Sequence, residues 1–223
     1  MELVRKFIED NCIARVPYGE KVLLRRGAEF GSEDIADYYT WMIMARSALY
    51  EPAVMQEVNN HFFSIFETQL REGYVLVGME HSSTAMITSF VLEGDRRGIT
   101  IPAFSIRKEQ KTYGLKNWSE GIVPQSNKFI VVDDISTEHR TALKQVLNKL
   151  PDITNCGPYK AEMYCLLNLG KYDIFGNTTI HSMFRKDDFI LEYEDYVNAK
   201  LSEELNDSVN SGTQSVPLES VPS

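Results

Sequence analysis

Cysteine is scarce in this sequence, and its scarcity argues against two classes of protein. Three cysteines occur among 223 residues: Cys12, Cys156 and Cys165. They show none of the close spacings that ligate structural zinc. They are also too few and too scattered for the disulfide framework that is typical of small secreted domains. We therefore expect reduced thiols in an intracellular protein.

Basic residues are outnumbered by acidic ones, and the apolar runs are short. The chain carries 23 Lys and Arg against 32 Asp and Glu, a formal net charge of −9. A broad nucleic-acid-binding surface is therefore not expected. No apolar run approaches the roughly 20 residues that a membrane helix needs, and residues 1–12 lack the apolar core of a signal peptide. We expect a cytoplasmic protein that binds neither nucleic acid nor membranes, although a local pocket can still bind a small anion.

What the sequence does contain is an apolar run that ends in two acids. Residues 129–132 are Phe-Ile-Val-Val, and Asp133 and Asp134 follow them directly. Apolar β-branched runs of this length are typical of a buried parallel strand. After the polar residues 136–141, apolar residues recur at helical spacing. The acids are thus expected where a strand gives way to a helix, which is where open α/β sheets bind ligands.

This arrangement suits a sugar phosphate, and it also has a purely structural interpretation. Two carboxylates can hold sugar hydroxyls or the water shell of Mg²⁺, and backbone N–H groups at a helix start can bind a phosphate. Alternatively, the acids lie on a buried strand and belong to a helix cap, with Ser136 or Thr141 as the N-cap. The pattern alone leaves both interpretations open.

The same stretch resembles the phosphoribosyl-diphosphate (PRPP) motif of type I phosphoribosyltransferases. In that family two hydrophobic residues precede two acids, and a Thr-Thr-Gly-Gly-Thr-like loop holds the 5-phosphate. Here the first and last Thr match, but Glu138, His139 and Arg140 replace the middle of the loop. The resemblance implies that Asp133 and Asp134 bind the ribose hydroxyls, directly or through Mg²⁺-bound water. It also implies a 5-phosphate site at Ile135, Ser136, Thr137, Glu138, His139, Arg140 and Thr141.

A second motif resembles the orotate phosphoribosyltransferase branch of that family. Orotate enzymes carry Arg-Lys-Glu-x-Lys-x-His-Gly, and residues 107–114 match five of its six defined positions, with Tyr113 in place of His. A mobile cationic loop of this kind can stabilise the charge that builds on a departing diphosphate. The resemblance implies that Lys111 is catalytic, that Arg107 and Lys108 bind diphosphate, and that the loop reaches a neighbouring subunit in a homodimer.

Two weaker matches accompany these motifs. Residues 78–84 resemble the family's diphosphate-binding loop, with Glu80 in place and His81, Ser82 and Ser83 where glycines would allow close backbone approach. His81 is either a donor to diphosphate or a solvated loop residue. Arg25 stands where orotate enzymes place a substrate-facing Lys, or else belongs to an exposed basic turn. The acidic insert at residues 29–37 leaves the acceptor base open.

We expect an α/β fold with a central, mainly parallel sheet flanked by helices and an N-terminal hood. One domain is predicted over residues 1–202, with the hood at about 1–40 and a disordered tail at 203–223. The spacing of apolar residues predicts helices over 39–49, 54–70 and 187–201, a strand over 160–168 and an edge strand over 181–184. The aromatic residues of 54–70 are expected in the core. The implied reaction joins a nitrogenous base, with orotate as the candidate, to PRPP with Mg²⁺. The alternatives are a different activated sugar donor, or a non-catalytic nucleotide-sensing or scaffolding protein.

Overall fold

The structure is a computed structural model, and it describes residues 1–17, 22–23, 38–109 and 118–211. Its described residues fall into two compact units. The first contains residues 1–13 and 43–189, and the second contains residues 14–42 and 190–223 where they are described. The predicted hood is therefore divided between the two units, with its first helix in one and its short strands in the other.

The first unit is built on a seven-stranded sheet with the strand order β10-β11-β9-β8-β5-β6-β7. The five inner strands run parallel, and β7 and β10 lie antiparallel at the two edges. This confirms the predicted mainly parallel sheet flanked by helices. The strands are β5 (Val75–Met79), β6 (Ala103–Ile106), β7 (Ser119–Gly121), β8 (Lys128–Ser136), β9 (Lys160–Asn168), β10 (Ile174–Phe175) and β11 (Thr178–Arg185).

Helices cover both faces of this sheet. They are α1 (Glu2–Asn11), α2 (Pro52–Arg71), α3 (Thr84–Arg96) and α4 (Thr141–Thr154), with 3₁₀ helices at Ala45–Tyr50 and Lys186–Asp188. On one face, Phe62 of α2 stacks on Phe90 of α3 with ring centroids 3.8 Å apart, and the edge of Tyr164 meets both rings. On the other, Leu143, Val146 and Leu150 of α4 enter the apolar core. The aromatic residues of α2 are thus core residues, as their spacing predicts.

The second unit combines short strands with the C-terminal helix. Strand β1 (Ile13–Arg15) pairs with β4 (Trp41–Ile43), and β2 (Val22–Leu23) pairs with β3 (Tyr38–Tyr39). Arg15 joins them to the helix α5 (Tyr193–Ser211), because its guanidinium donates to the Ile190 carbonyl and lies 3.9 Å from the Tyr196 ring centroid. A hydrogen bond of 2.8 Å from Thr40 Oγ1 to Glu192 Oε2 adds a second tie.

Two secondary-structure predictions are wrong, and a third is wrong in part. The predicted helix over 39–49 is instead β4 followed by a 3₁₀ helix, because β4 pairs with the sequence-distant strand β1. The strand predicted at the sheet edge is second in the strand order, but β10 pairs only with its first two residues, Thr178 and Thr179, and not with residues 181–184. Helix α5 continues to Ser211, so the first part of the predicted disordered tail is helical. Residues 212–223 lie outside the described residues.

Candidate functional site

The two acids lie inside strand β8, which continues beyond them to Ser136. Both are buried, with Asp133 4% and Asp134 7% exposed. Asp134 N–H donates to Asp133 Oδ1 at 3.1 Å, and Ile135 N–H donates to Asp134 Oδ1 at 2.9 Å. Strand and hydrogen bonds together fix both carboxyl groups near the carboxyl end of the central strand. The structural interpretation is right that the acids lie on a buried strand. Its choice of Ser136 or Thr141 as the cap of the next helix is wrong, because Arg140 is the N-cap.

The two carboxyl groups differ in their electrostatic surroundings. Burial, followed by the neighbouring charge of Asp134, raises the pKa of Asp133 to about 8, and a hydrogen bond with Ser82 opposes the shift. Asp133 therefore retains its proton near neutral pH. Asp134 instead forms an ion pair with Arg46, whose Nε lies 3.0 Å from Asp134 Oδ2. At neutral pH the pair thus offers a protonated carboxyl group beside a carboxylate that is held by a cation.

Arg46 is the residue of this site that sequence reasoning missed. It lies on the 3₁₀ helix Ala45–Tyr50, and 88 residues separate it from its partner Asp134. No motif contains it, and the predicted helix over 39–49 gave it no role. The one signal was an arginine in a stretch otherwise rich in apolar residues, which does not by itself identify a partner.

The predicted 5-phosphate loop is a tight turn between β8 and α4. Arg140 adopts a left-handed conformation with φ 55°, which is where the related motif has glycine, and its N–H donates to the Thr137 carbonyl at 3.1 Å. Thr137, Glu138 and His139 are exposed, and Ser136 is buried beneath them. The loop therefore retains a compact turn without the glycines, and three of its predicted phosphate-binding residues lie at the surface.

The guanidinium of Arg140 points into the protein rather than out of the loop. It donates to Ser136 Oγ at 2.7 Å and Asn168 Oδ1 at 2.6 Å, and also to the Tyr172 carbonyl. All three acceptors are neutral, and among the described residues no carboxylate hydrogen-bonds to this buried cation, although the charges of Asp173 and Glu138 oppose the lowering of its pKa. Burial lowers the pKa of Arg140, but an arginine remains protonated at neutral pH. A cation with neutral acceptors thus lies beneath the loop, where its field favours an anion.

Gly170 makes room for that guanidinium. A Cβ atom at this position would overlap the Arg140 guanidinium. The Gly170 N–H also donates to Asn168 Oδ1 at 3.0 Å, the atom that accepts from Arg140. The altered loop and residue 170 therefore form one packed arrangement.

The predicted diphosphate loop, Glu80 to Ser83, connects β5 to α3. His81 has φ 70° and pairs with Glu80 at 3.1 Å at the surface. Ser83 is buried, and its hydroxyl donates to the Met79 carbonyl at 2.7 Å. The Ser83 hydroxyl is therefore engaged inside the protein, and its contact with a diphosphate stays a prediction. Ser82 is half-buried and contacts Asp133, so this loop meets the acid pair.

Arg107 lies between two carboxylates at the end of β6. It forms an ion pair with Glu120 of β7, and its Nε lies 3.6 Å from Glu80 Oε2. The side chain is 18% exposed, and neither Arg107 Nε nor Glu80 Oε2 has a hydrogen-bond partner among the described residues. In this form the predicted diphosphate-binding arginine is engaged by the protein's own acids.

Helix α4 holds the start of the segment that carries the second motif. Lys149 Nζ donates to the carbonyls of Arg107 at 2.9 Å and Lys108 at 3.2 Å, and it lies 4.4 Å from the Trp118 ring centroid. Lys108 itself is exposed. The predicted site residues Arg25, Lys111 and Tyr113 lie outside the described residues.

Metal and membrane features are absent from the described part of the chain. Within residues 1–17, 22–23, 38–109 and 118–211, no group of three or more His, Cys, Asp or Glu is arranged to hold a metal ion. In the same ranges, no helix combines the length and apolar character needed to cross a membrane.

Neither a protein-family model nor a curated protein matches this sequence. Solved structures nevertheless share its fold at low identity. The orotate phosphoribosyltransferase of Mycobacterium tuberculosis has a TM-score of 0.60 at 13% identity, over 83% of this chain and 96% of that one. The Aeropyrum pernix orotate enzyme gives 0.55 at 14% identity, over 83% and 94% of the two chains. Adenine phosphoribosyltransferase of Trypanosoma brucei gives 0.53 at 14%, over 84% and 81%. The chain thus has the type I phosphoribosyltransferase fold.

Proposed function

We propose that this chain is a phosphoribosyltransferase of the orotate type. It would transfer the 5-phosphoribosyl group of PRPP to a nitrogenous base and release diphosphate. The observation that carries the proposal is the acid pair Asp133–Asp134 near the carboxyl end of the central parallel strand, followed by a turn above the buried Arg140 guanidinium. An M. tuberculosis orotate phosphoribosyltransferase solved in complex with PRPP shares this fold, with a TM-score of 0.55.

Each part of the site has a task in this reaction. The ribose diol would hydrogen-bond to both acids, accepting a hydrogen bond from the Asp133 carboxyl group and donating one to the Asp134 carboxylate. The 5-phosphate would bind at the turn over residues 136–141, where the backbone and the Arg140 charge favour an anion. A nitrogen of the base would then attack the anomeric carbon as the bond to diphosphate breaks, and the base would lose a proton.

The cationic segment is proposed to act on the leaving group. Lys111 would stabilise the diphosphate as its charge increases in the transition state, and Arg107 and Lys108 would bind it. This requires Arg107 to leave one or both of its carboxylate partners when the donor binds. Following the motif resemblance, we further propose that the segment serves the neighbouring subunit of a homodimer in the cytoplasm.

Mg²⁺ enters the proposal only as an ion that the donor carries. The acids do not fit a resident Mg²⁺, because Asp133 retains a proton near neutral pH and Asp134 is paired with Arg46. Direct coordination would need carboxylate oxygens that carry no proton and form no ion pair with an arginine. Contact between the acids and a donor-bound ion would therefore pass through water.

The engagement of Arg107 by Glu80 and Glu120 favours one other candidate function. If those pairs persist when a nucleotide binds, the chain would bind it without transferring the sugar, as a sensing or scaffolding protein on the same fold. Turnover with PRPP and a base separates the two candidates.

The first test is isothermal titration of PRPP with Mg²⁺ into the purified protein and into an Asp133→Asn/Asp134→Asn variant. We expect binding by the parent and none by the double variant. The Asp95→Asn variant, which changes an exposed acid on α3, should bind like the parent. A parent that fails to bind PRPP would contradict the proposal and turn attention to other activated sugar donors.

A further inference from the structure

The guanidinium of Arg46 is only partly used by the protein. Its Nε contacts Asp134 Oδ2, and its side chain is 46% exposed. Among the described residues, neither of its terminal amino groups has a hydrogen-bond acceptor. A guanidinium offers five N–H donors in a planar fork and is well suited to bridging two anions. The structure shows one of these anions, the Asp134 carboxylate, and the exposed part of the guanidinium can reach a second.

The segment that carries Arg46 is firmly anchored. Ala45, Ala48 and Leu49 of its 3₁₀ helix are buried, and the Met44 N–H donates to the Cys12 carbonyl at 2.7 Å. The backbone beneath Arg46 is therefore fixed, and the side chain alone has room to adjust. Such an arrangement can hold a ligand group at a constant distance from the acid pair.

Asp134 retains hydrogen-bonding capacity while it is paired with Arg46. A carboxylate has about four acceptor positions, and Asp134 uses three of them, for the Ile135 N–H, for Arg46 Nε and for the side-chain hydrogen bond with Asp133. A sugar hydroxyl can therefore bind Asp134 without breaking the ion pair. A ligand held in this way would have Arg46 beside the ring carbons next to its diol.

We propose that Arg46 is a specificity-determining residue that binds an anionic group located at the anomeric carbon of the bound sugar. This inference rests on the proposed function, in which the diol binds Asp133 and Asp134. The anion is either the diphosphate that leaves that carbon or a carboxylate of the base that attacks it. Arg46 would thereby favour sugars that carry an anion at the anomeric carbon, or that react there with an anionic base. Sugars that bear only a 5-phosphate would bind more weakly.

The test compares ligands with and without that anion. PRPP and ribose 5-phosphate share the diol and the 5-phosphate but differ at the anomeric carbon. Orotate and uracil differ in the carboxylate. Each is titrated into the parent, Arg46→Gln and Arg46→Lys, the bases being added with saturating ribose 5-phosphate. Arg71→Gln is the matched control, because Arg71 is 51% exposed and pairs with Glu67 at 2.7 Å on α2.

If the leaving diphosphate is the anion, Arg46→Gln should bind PRPP about tenfold to a hundredfold more weakly and ribose 5-phosphate unchanged, the loss expected for one charge-assisted hydrogen bond. If the anion is the carboxylate of the base, the same loss should appear for orotate and not for uracil. Arg46→Lys should recover part of either loss, and Arg71→Gln should match the parent.

Two results would overturn the inference while leaving the proposed function intact. Equal losses for PRPP and ribose 5-phosphate, without a selective loss for orotate, would mean that Arg46 only orients Asp134. Unchanged affinity for all four ligands would mean that it has no role in binding. A parent that binds neither PRPP nor ribose 5-phosphate would instead refute the proposed function, and this inference with it.

Discussion

Among single residues, Asp133 should contribute most to the pH dependence of the free energy of unfolding. Its pKa rises from the usual 3.8 to about 8 because the carboxyl group is buried beside Asp134. The folded protein therefore holds a proton that the unfolded chain releases as the pH rises through this window. Because the unfolded state binds fewer protons there, the free energy of unfolding should fall between about pH 4 and 8 and then level off.

The Asp133→Asn variant tests this assignment. Asn cannot ionise, so the variant should exceed the parent's free energy of unfolding by several kcal/mol at pH 8 and by roughly 1 to 2 kcal/mol at pH 5, since each pKa unit is worth about 1.4 kcal/mol. Urea denaturation at the two pH values measures both differences. The neighbouring Asp134→Asn variant should instead lose about 1 kcal/mol at pH 5, because it breaks the ion pair with the partly exposed Arg46. The loss should be smaller at pH 8, because the variant also removes the charge that raises the Asp133 pKa. Loss of stability by Asp133→Asn at pH 8 would contradict the raised pKa.

A second residue-scale prediction concerns the contact between Arg140 and Gly170. Gly170→Ala should cost the parent about 2 kcal/mol, because the new methyl group overlaps the guanidinium. Arg140→Gly should cost a similar amount. It relieves the left-handed backbone but leaves the three acceptors, Ser136 Oγ, Asn168 Oδ1 and the Tyr172 carbonyl, without their donor.

A double-mutant cycle in urea separates these effects. Gly170→Ala should cost less than about 0.5 kcal/mol when Arg140 is already glycine, because the overlapping group is gone. Additive costs would show that the two residues do not interact. Gly98→Ala is a useful contrast. No atom lies near its added Cβ, so that substitution tests backbone strain at φ 68° alone.

Among the secondary-structure elements, strands β6 and β7 determine whether Arg107 can reach a ligand. Glu120 of β7 holds Arg107 from one side and Glu80 from the other. Glu120→Gln should remove one of the two ion pairs of Arg107. Inorganic diphosphate should then bind about threefold to tenfold more tightly, as measured by isothermal titration.

The control for this prediction is Glu67→Gln, which removes a comparable carboxylate that pairs with Arg71 far along α2. It should leave diphosphate affinity unchanged. If Glu120→Gln also leaves the affinity unchanged, Arg107 does not contact diphosphate, and the sensing alternative is favoured.

The elements also show where sequence reasoning succeeds and fails. The helix predicted over 54–70 and the strand over 160–168 are confirmed as α2 and β9, because their patterns are long and locally consistent. The segment 39–49 has helical spacing, yet its first part forms β4, since pairing with β1 outweighs local preference.

The same distinction applies to the site. The motif identifies Asp133 and Asp134, because adjacent acids after an apolar run are a local signal. It does not reveal that Arg140 turns inward, because its acceptor Asn168 lies 28 residues away. Nor does it reveal Arg46. Partners that are distant in sequence carry no local signal, and these contacts set the electrostatics of the site.

At the scale of the whole molecule, the proposed homodimer gives a test that single variants cannot. Lys111→Ala should still bind PRPP but lose most turnover, since its charge acts on the transition state. Asp133→Asn/Asp134→Asn should lose donor binding. If Lys111 serves the neighbouring subunit, an equal mixture refolded together should recover about a quarter of the parent's activity, because half of the dimers contain one complete site.

An absence of recovery, with mixed dimers demonstrated by differently tagged chains, would mean that Lys111 acts within its own subunit. A strictly monomeric protein by light scattering would also contradict the shared arrangement. Each chain refolded alone provides the baseline, and the parent put through the same treatment gives the recovery expected for an undamaged site.

The close fit of Arg140 against Gly170 also limits the mutational paths open to this chain. A Cβ atom at 170 meets the far end of the Arg140 side chain, so a larger residue there costs more while arginine occupies 140. In a laboratory evolution experiment, substitutions at 170 should therefore be enriched in lineages that have first lost Arg140, and the order in which the two changes arise would record this dependence.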